Sequence, residues 1–171
     1  MYYLGKAGIE PIHLQSAQAA DTAVVRRWVV LPDSFSGPAP RAASAELDHT
    51  LALTGYALHV ETDGVRVSLF WKALGPIGKD LTVSVQLLDA AGRLVAQQDS
   101  QPAGGRLPTS VWPTGQIVQD DHVVPLDRPP AGLQTIVVVY DPRTMQRLTV
   151  TAAGASSDYF RLGPVDDATV R

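Results

Sequence analysis

The chain has 171 residues, 45% hydrophobic and 18% charged, which allows one domain with a sizeable core and excludes a disordered chain. The formal net charge is −3, from 14 Lys and Arg against 17 Asp and Glu, which argues against nucleic acid as the main partner. The lack of cysteine excludes disulfides, thiolate metal sites and a cysteine nucleophile. No apolar run approaches the ~18 residues of a membrane span, and MYYLGKAGIEP at the start predicts no signal peptide.

Residues 1–46 are predicted to be an N-terminal extension and linker. IEPIHL and RRWVVL are typical of two short strands, and QSAQAADTAVV between them favours a short helix. PDSFSGPAPRAASAE, residues 32–46, is rich in Pro, Ser, Ala and Gly, as loops and linkers are. We therefore place the boundary before Leu47 and assign residues 47–171 to the main domain.

From Leu47 onward, hydrophobic residues alternate with a period of two, which is typical of half-buried strands. The apolar faces of the first two predicted strands are Val65, Val67, Leu69 and Trp71, and then Leu81, Val83, Val85 and Leu87. AAGR predicts a hairpin turn with LVAQQDS as the returning strand, and GLQTIVVVYD predicts a central strand. DPRTMQR predicts a second hairpin turn from which LTV returns, and DYFRLGPV predicts a last strand.

These segments amount to about seven or eight strands with turn signals roughly every ten residues. No long helical periodicity competes with them. We therefore predict an all-β fold, an antiparallel β-sandwich of the immunoglobulin-like or jelly-roll-like kind, with a short N-terminal extension.

The segment GGRLPTSVWPTGQIVQDDHVVPLD, residues 104–127, carries the densest candidate chemistry. If its strand begins near Gln116, Asp120 and His122 share one face and Asp121 lies on the other. Two side chains are fewer than the four ligands of a structural zinc site or the three of a catalytic one, so we predict no bound metal. We interpret the pair as an Asp–His contact on a solvated strand face and retain both residues as candidates for ligand binding, with a two-ligand metal site as the alternative.

Motifs for catalysis are missing from the sequence. No G-x-S-x-G occurs, GKD at residues 78–80 lacks the rest of a phosphate loop, and most aspartates fall at turn positions, which aspartate favours. We predict no catalytic residue, no cofactor and no enzymatic activity. The alternative is a small metal-dependent hydrolase built around Asp120 and His122.

The three tryptophans differ in their surroundings. Trp71 ends an apolar strand face and is predicted to be core, and Trp28 is expected to pack against the sandwich. Trp112 lies in a Pro-rich loop and is the best candidate for an exposed ring that stacks on a sugar. The alternative is that Trp112 caps one end of the core.

Four segments form a pattern that covers roughly residues 47–165. They are LFWKA, QLLDAAGRLVAQQD, GGRLPTSVWPTGQIVQDDHVVPL and GLQTIVVVYDPRTMQRL. This pattern resembles the extracytoplasmic C-terminal region of polytopic glycosyltransferases of the protein-mannosyltransferase-like class in Chloroflexus-type bacteria. That family has His at the position of Gln86 and an acidic residue at that of Gln116.

The resemblance implies an extracytoplasmic domain attached to a membrane portion that holds the chemistry, with no catalytic residue of its own to transfer. The leading expectation is a non-catalytic accessory domain that binds glycan or another envelope component. The alternative is a structural or protein-interaction domain that docks on the membrane portion or dimerises through a sheet edge. The oligomeric state is left open.

Overall fold

A computed structural model of the protein describes residues 41–165. Over this range the chain forms two antiparallel sheets, which confirms the predicted all-β sandwich. The strands are β1 Arg41–Leu47, β2 Leu51–Glu61, β3 Gly64–Ala73, β4 Thr82–Leu88, β5 Leu94–Ser100, β6 Ile117–Pro125, β7 Gln134–Asp141, β8 Gln146–Arg147, β9 Val150–Ala152, β10 Ala155–Ser157 and β11 Phe160–Pro164. Two short 3-10 turns, Pro102–Gly105 and Thr109–Val111, lie between β5 and β6.

Sheet A has the strand order β10-β9-β1-β2-β3-β6, and sheet B has the order β11-β7-β4-β5, with β8 paired to β7. β7 is therefore an inner strand of sheet B, as its apolar sequence predicted. Among the described residues β6 is an edge strand of sheet A and β5 an edge strand of sheet B, and these two strands contact each other. The segment that carries Asp120 and His122 thus lies where one edge of the sandwich closes.

The core is built from the predicted period-two faces. Each of the eight predicted apolar positions in β3 and around β4 is buried: Val65, Val67, Leu69, Trp71, Leu81, Val83, Val85 and Leu87. The β4–β5 hairpin is also as predicted, and the amides of Ala91 and Arg93 donate to Asp89 Oδ1 in its turn. These hydrogen bonds, chiefly that from the Arg93 amide, hold the pKa of Asp89 below its ordinary value.

The structure contains more strands than predicted, because β8, β9 and β10 are only two or three residues long and show no alternation in sequence. The expectation that LTV returns beside β7 holds only for Leu148, whose amide donates to the Val139 carbonyl after the short strand β8. Val150–Ala152 instead forms β9, which crosses to sheet A and pairs with β1. Leu148 and Val150 are both buried at this crossing, and the Thr149 amide donates to Asp48 Oδ1. The crossing places both side chains in the hydrophobic core.

Strand β1 begins at Arg41, so residues 41–46 are strand although the sequence predicted loop or linker there. Its register with β2 matches Ala45 to Leu53 and Leu47 to Leu51, and all four side chains are buried. Small alanines at alternate positions fit a sheet as well as a linker, so the composition of this segment did not distinguish a strand from a linker. The other expectations for the extension, including the one for Trp28, fall outside the described residues.

Candidate functional site

Strand β6 pairs with β3 along its whole length, from Ile117 opposite Lys72 to Pro125 opposite Gly64. Asp120 and His122 do share one face, as predicted. That face is the inner one, because Asp120 is 0% and His122 is 1% exposed, so the prediction of a solvated strand face is wrong. The outward face carries Asp121 between two exposed aliphatic residues.

The Asp120 carboxylate is surrounded by donors from three parts of the chain. Its Oδ1 accepts the backbone amide of Ala103 at 2.9 Å, and its Oδ2 accepts Trp71 Nε1 at 3.3 Å. His122 Nε2 lies 2.8 Å from the same Oδ2. A buried carboxylate is costly unless it is paired and hydrogen-bonded, and this one meets both conditions.

The other ring nitrogen of His122 reaches across to sheet B. His122 Nδ1 lies 2.5 Å from Oε1 of Gln98, whose side chain points inward from β5. The two ring nitrogens of His122 therefore each face an oxygen atom, one from Asp120 and one from Gln98. We call Asp120, His122 and Gln98 the inter-sheet clamp, because they join the two edge strands that close this side of the sandwich.

The clamp also positions the loop between β5 and β6. Ala103 has a left-handed backbone with φ of 54°, which is unfavourable for a residue with a Cβ. Its amide is the one that donates to Asp120. The hydrogen bond to a buried carboxylate thus offsets local backbone strain and holds the first 3-10 turn against the edge of the sandwich.

Trp112 is 5% exposed, so the prediction of an exposed ring is wrong. Its Nε1 donates to the Leu107 carbonyl at 3.0 Å, within the same loop. Just before it, Thr109 Oγ1 accepts the Leu81 amide and donates to the Lys79 carbonyl, which ties the second 3-10 turn to the sandwich. The turn directs the indole inward, where it belongs to the hydrophobic core. The alternative interpretation, a tryptophan that caps the core, agrees with this position.

The clamp leaves little room for ligand chemistry. Each polar side-chain atom of Asp120 and His122 faces a partner within the protein, and neither residue presents surface to solvent. Residues 41–165 contain no group of three or more His, Cys, Asp or Glu side chains that could hold a metal ion. The further carboxylate that a metal-dependent hydrolase would need beside Asp120 and His122 is therefore missing from the described part of the chain.

A second polar cluster lies on the outer face of sheet B and was not singled out from the sequence. Asp99 of β5 accepts Ser84 Oγ at 2.7 Å and the Tyr140 hydroxyl at 3.0 Å, and Ser84 Oγ accepts Gln86 Nε2 at 3.1 Å. We call these four residues the outer polar row. Burial and the acceptor Asp99 raise the pKa of Tyr140 above its ordinary value. Alternation in LTVSVQLL places Ser84 and Gln86 on the polar face, but cross-strand register was needed to find Asp99 and Tyr140 beside them.

An open groove of about 520 Å³ lies between the β2–β3 turn and the β6–β7 loop. Its walls include Glu61, Asp63, Arg128 and Pro129. Glu61 is already paired with Arg66 at 2.6 Å, and the Leu126 amide donates to the Asp63 carbonyl. Two of its lining residues, Glu61 and Asp63, are therefore already held by contacts within the protein.

No protein-family model matches this sequence, and no curated protein matches it. Among solved structures, the chain is similar to a β-glucuronidase from glycoside hydrolase family 2, with 14% sequence identity and a TM-score of 0.37. The match covers 70% of this chain and 11% of that one, so this chain spans a small part of the enzyme. Separately, no helix among the described residues is long and apolar enough to cross a membrane.

Proposed function

We propose that this chain is a non-catalytic accessory β-sandwich that acts outside the cytoplasm, attached to the membrane portion of a glycosyltransferase-like protein, and that it binds carbohydrate of the cell envelope. The proposal combines the family resemblance with one structural observation. That observation is the complete internal use of Asp120 and His122, the pair that would be the first choice for acid–base or metal chemistry.

Burial of this pair favours binding over catalysis. A general acid or base must come within hydrogen-bond reach of a substrate atom. Asp120 and His122 are 0% and 1% exposed, and their partners are Trp71, Ala103 and Gln98. To act on a substrate they would have to give up the contacts that close the edge of the sandwich.

The proposal is tested by following thermal unfolding of the purified chain with a panel of oligosaccharides and, separately, with zinc and magnesium chloride. A ligand that binds only the folded state raises the melting temperature by mass action, so we expect a rise with at least one sugar and none with either metal. The Trp112→Phe variant is the control for the hypothesis that the Trp112 ring stacks on the sugar. Because Trp112 is buried, we expect sugar binding to survive this change. A metal-dependent rise that disappears in His122→Ala would instead favour the hydrolase.

A structural or protein-interaction role is the second candidate, and the edge strand β6 favours it. Ile117 is 54% and Val123 is 39% exposed on the outward face of this strand. Exposed aliphatic residues on an edge strand can support pairing with another chain. Light scattering across a range of concentrations tests this, with Val123→Lys as the variant expected to abolish any dimer. A monomer at every concentration would remove self-association from consideration.

A further inference from the structure

We propose that two copies of this chain form a symmetric dimer by pairing their β6 edge strands antiparallel. The register sets Ile117 opposite Val123 of the second copy and Gln119 opposite its Asp121. This inference rests on the second candidate function, a protein-interaction role, and names the partner as a second copy of the chain. Sheet A then continues through the interface into the second copy.

The ladder between β6 and β3 shows which backbone groups of β6 are already used. At one end the Ala73 amide donates to the Gln116 carbonyl, and at the other the Leu126 amide donates to the Asp63 carbonyl. Hydrogen-bonded residues alternate along an antiparallel pair, and the register between these two ends is continuous. The even-numbered residues of β6 therefore direct their amides and carbonyls toward β3, and the odd-numbered ones direct theirs to the open edge. The odd-numbered residues before Pro125 are Ile117, Gln119, Asp121 and Val123.

These four residues, which we call the open-edge residues, present a row of backbone donors and acceptors. Among the described residues, no backbone hydrogen bond reaches them from any other segment. The hydrogen bonds from β6 to the first 3-10 turn and to β5 come instead from the inward side chains of Asp120 and His122. An edge strand with open amides and carbonyls is a template for pairing with another chain.

The side chains of the open-edge residues form a pattern that is the same in both directions along the strand. Ile117 is 54% and Val123 is 39% exposed, and these two residues are the outer members of the row. Between them, Gln119 Nε2 donates to both carboxylate oxygens of Asp121 at 3.2 Å. The edge is thus aliphatic at both ends and polar in the middle. A two-fold axis joins the same patch of both copies, so a symmetric interface requires a self-complementary pattern of this kind.

The side chains also favour one register over its neighbours. In the proposed register each aliphatic residue meets an aliphatic residue, and each glutamine amide meets a carboxylate. A shift by two residues in one direction sets the two Asp121 carboxylates directly opposite each other, which is destabilising. The shift in the other direction sets Ile117 opposite Asp121 and Val123 opposite Gly115, so both aliphatic pairs are lost.

The backbone supports the same register. Each opposing pair of open-edge residues exchanges two hydrogen bonds, about eight in all. Pro125, which has no amide hydrogen, lies just beyond Val123 and limits the pairing to these four residues. The interface is therefore short and specific in its register.

The first test measures the oligomeric state of the full chain by analytical ultracentrifugation over a range of concentrations. We expect a reversible dimer, and about hundredfold weaker association in Val123→Lys, because the new charge enters a symmetric interface twice. Leu94→Lys is the matched control, since Leu94 is 54% exposed on β5, the edge strand of sheet B on the same side. We expect this variant to dimerise as the unaltered chain does.

The second test traps the register with disulfides, and the chain has no cysteine of its own to interfere. Cα atoms of directly opposite residues lie about 5.5 Å apart, within reach of a disulfide, whereas residues displaced by two positions lie about 7–8 Å apart and out of reach. A mixture of Gln119→Cys and Asp121→Cys should therefore form a covalent dimer under oxidation. Each of these two variants alone is the control and should stay uncross-linked.

The outcomes separate this inference from the functions proposed above. A dimer that is insensitive to Val123→Lys, or in which the mixture cross-links no better than either variant alone, overturns the inference and leaves a protein-interaction role in place. A monomer at every concentration overturns the inference and excludes self-association. Neither result bears on sugar binding, which the thermal unfolding experiment measures separately.

Discussion

The inter-sheet clamp and the outer polar row are both aspartate-centred networks, yet they occupy opposite environments. In the clamp, Asp120 accepts Trp71 and Ala103 and faces His122, and Asp120 and His122 are both fully buried. In the row, Asp99 accepts Ser84 and Tyr140 and stays open to water. The same side-chain chemistry therefore has different consequences, because only the exposed carboxylate keeps acceptor positions that a ligand can reach.

The difference also sets the energetic role of each network. A buried polar group that loses its partner costs its full desolvation, whereas an exposed one is rehydrated. The clamp should therefore govern stability and contribute nothing directly to binding. In the row, the exposed Asp99 carboxylate should contribute little to stability, because water can replace its partners.

Removal of the two carboxylates gives the largest contrast. Asp120→Ala leaves the His122 ring, the Trp71 indole N–H and the Ala103 amide without their buried acceptor, and we expect a loss of about 3–5 kcal/mol in unfolding free energy. Asp99→Ala at an exposed site should cost about 1 kcal/mol. Urea denaturation of both variants measures the difference. Equal losses would mean that the two networks are not distinguished by burial.

Truncation of Trp112 should also be costly, because its ring is part of the core. We expect Trp112→Ala to lower the unfolding free energy by about 3–5 kcal/mol. Val111→Ala is the neighbouring control, and since Val111 is exposed its effect should stay within about 0.5 kcal/mol. A stable Trp112→Ala protein that has lost sugar binding would restore the interpretation of Trp112 as a binding residue.

Two adjacent glutamines sharpen the comparison on a single strand. Gln98 points inward to His122, and Gln97 points outward beside Gln86. Gln98→Ala should cost about 1–3 kcal/mol, since it leaves a buried ring nitrogen of His122 without its partner. Gln97→Ala should change stability by no more than about 0.5 kcal/mol. The same denaturation experiment reports both, and a larger loss in Gln97→Ala would contradict the assigned faces.

The smallest effect concerns alkaline pH. Burial, with the acceptor Asp99, raises the pKa of Tyr140 in the folded protein above its ordinary value of about 10. The unfolded chain then loses this proton first. The contribution of Tyr140 to stability is therefore complete below about pH 10 and is lost as pH rises through the folded pKa. Unfolding free energies measured on either side of pH 10 should fall less steeply in Tyr140→Phe. An unchanged slope would contradict the hydrogen bond from the Tyr140 hydroxyl to Asp99.

The local pattern in β6 shows why part of the site could be predicted and part could not. Alternation alone places Asp120 with His122 and separates them from Asp121, which holds in the structure. It does not say which face is inside, because each face carries two aliphatic residues. Those residues are Ile117 and Val123 on one face, and Val118 and Val124 on the other. Pairing with β3 decides between them, since it places Asp120 beside buried Leu69.

The sequence by itself determined the β-sandwich class, the inner faces of β3 and β4 and the two hairpins, because these depend on period-two alternation and on turn residues that lie close together along the chain. Only the tertiary structure decided that Trp112 turns inward, that Asp120 and His122 are buried, and that Gln98 and Asp99 belong to different networks. Each of these outcomes depends on which strands become neighbours across the two sheets. That choice is set by the burial and hydrogen bonding of distant segments together, and a local pattern does not contain it.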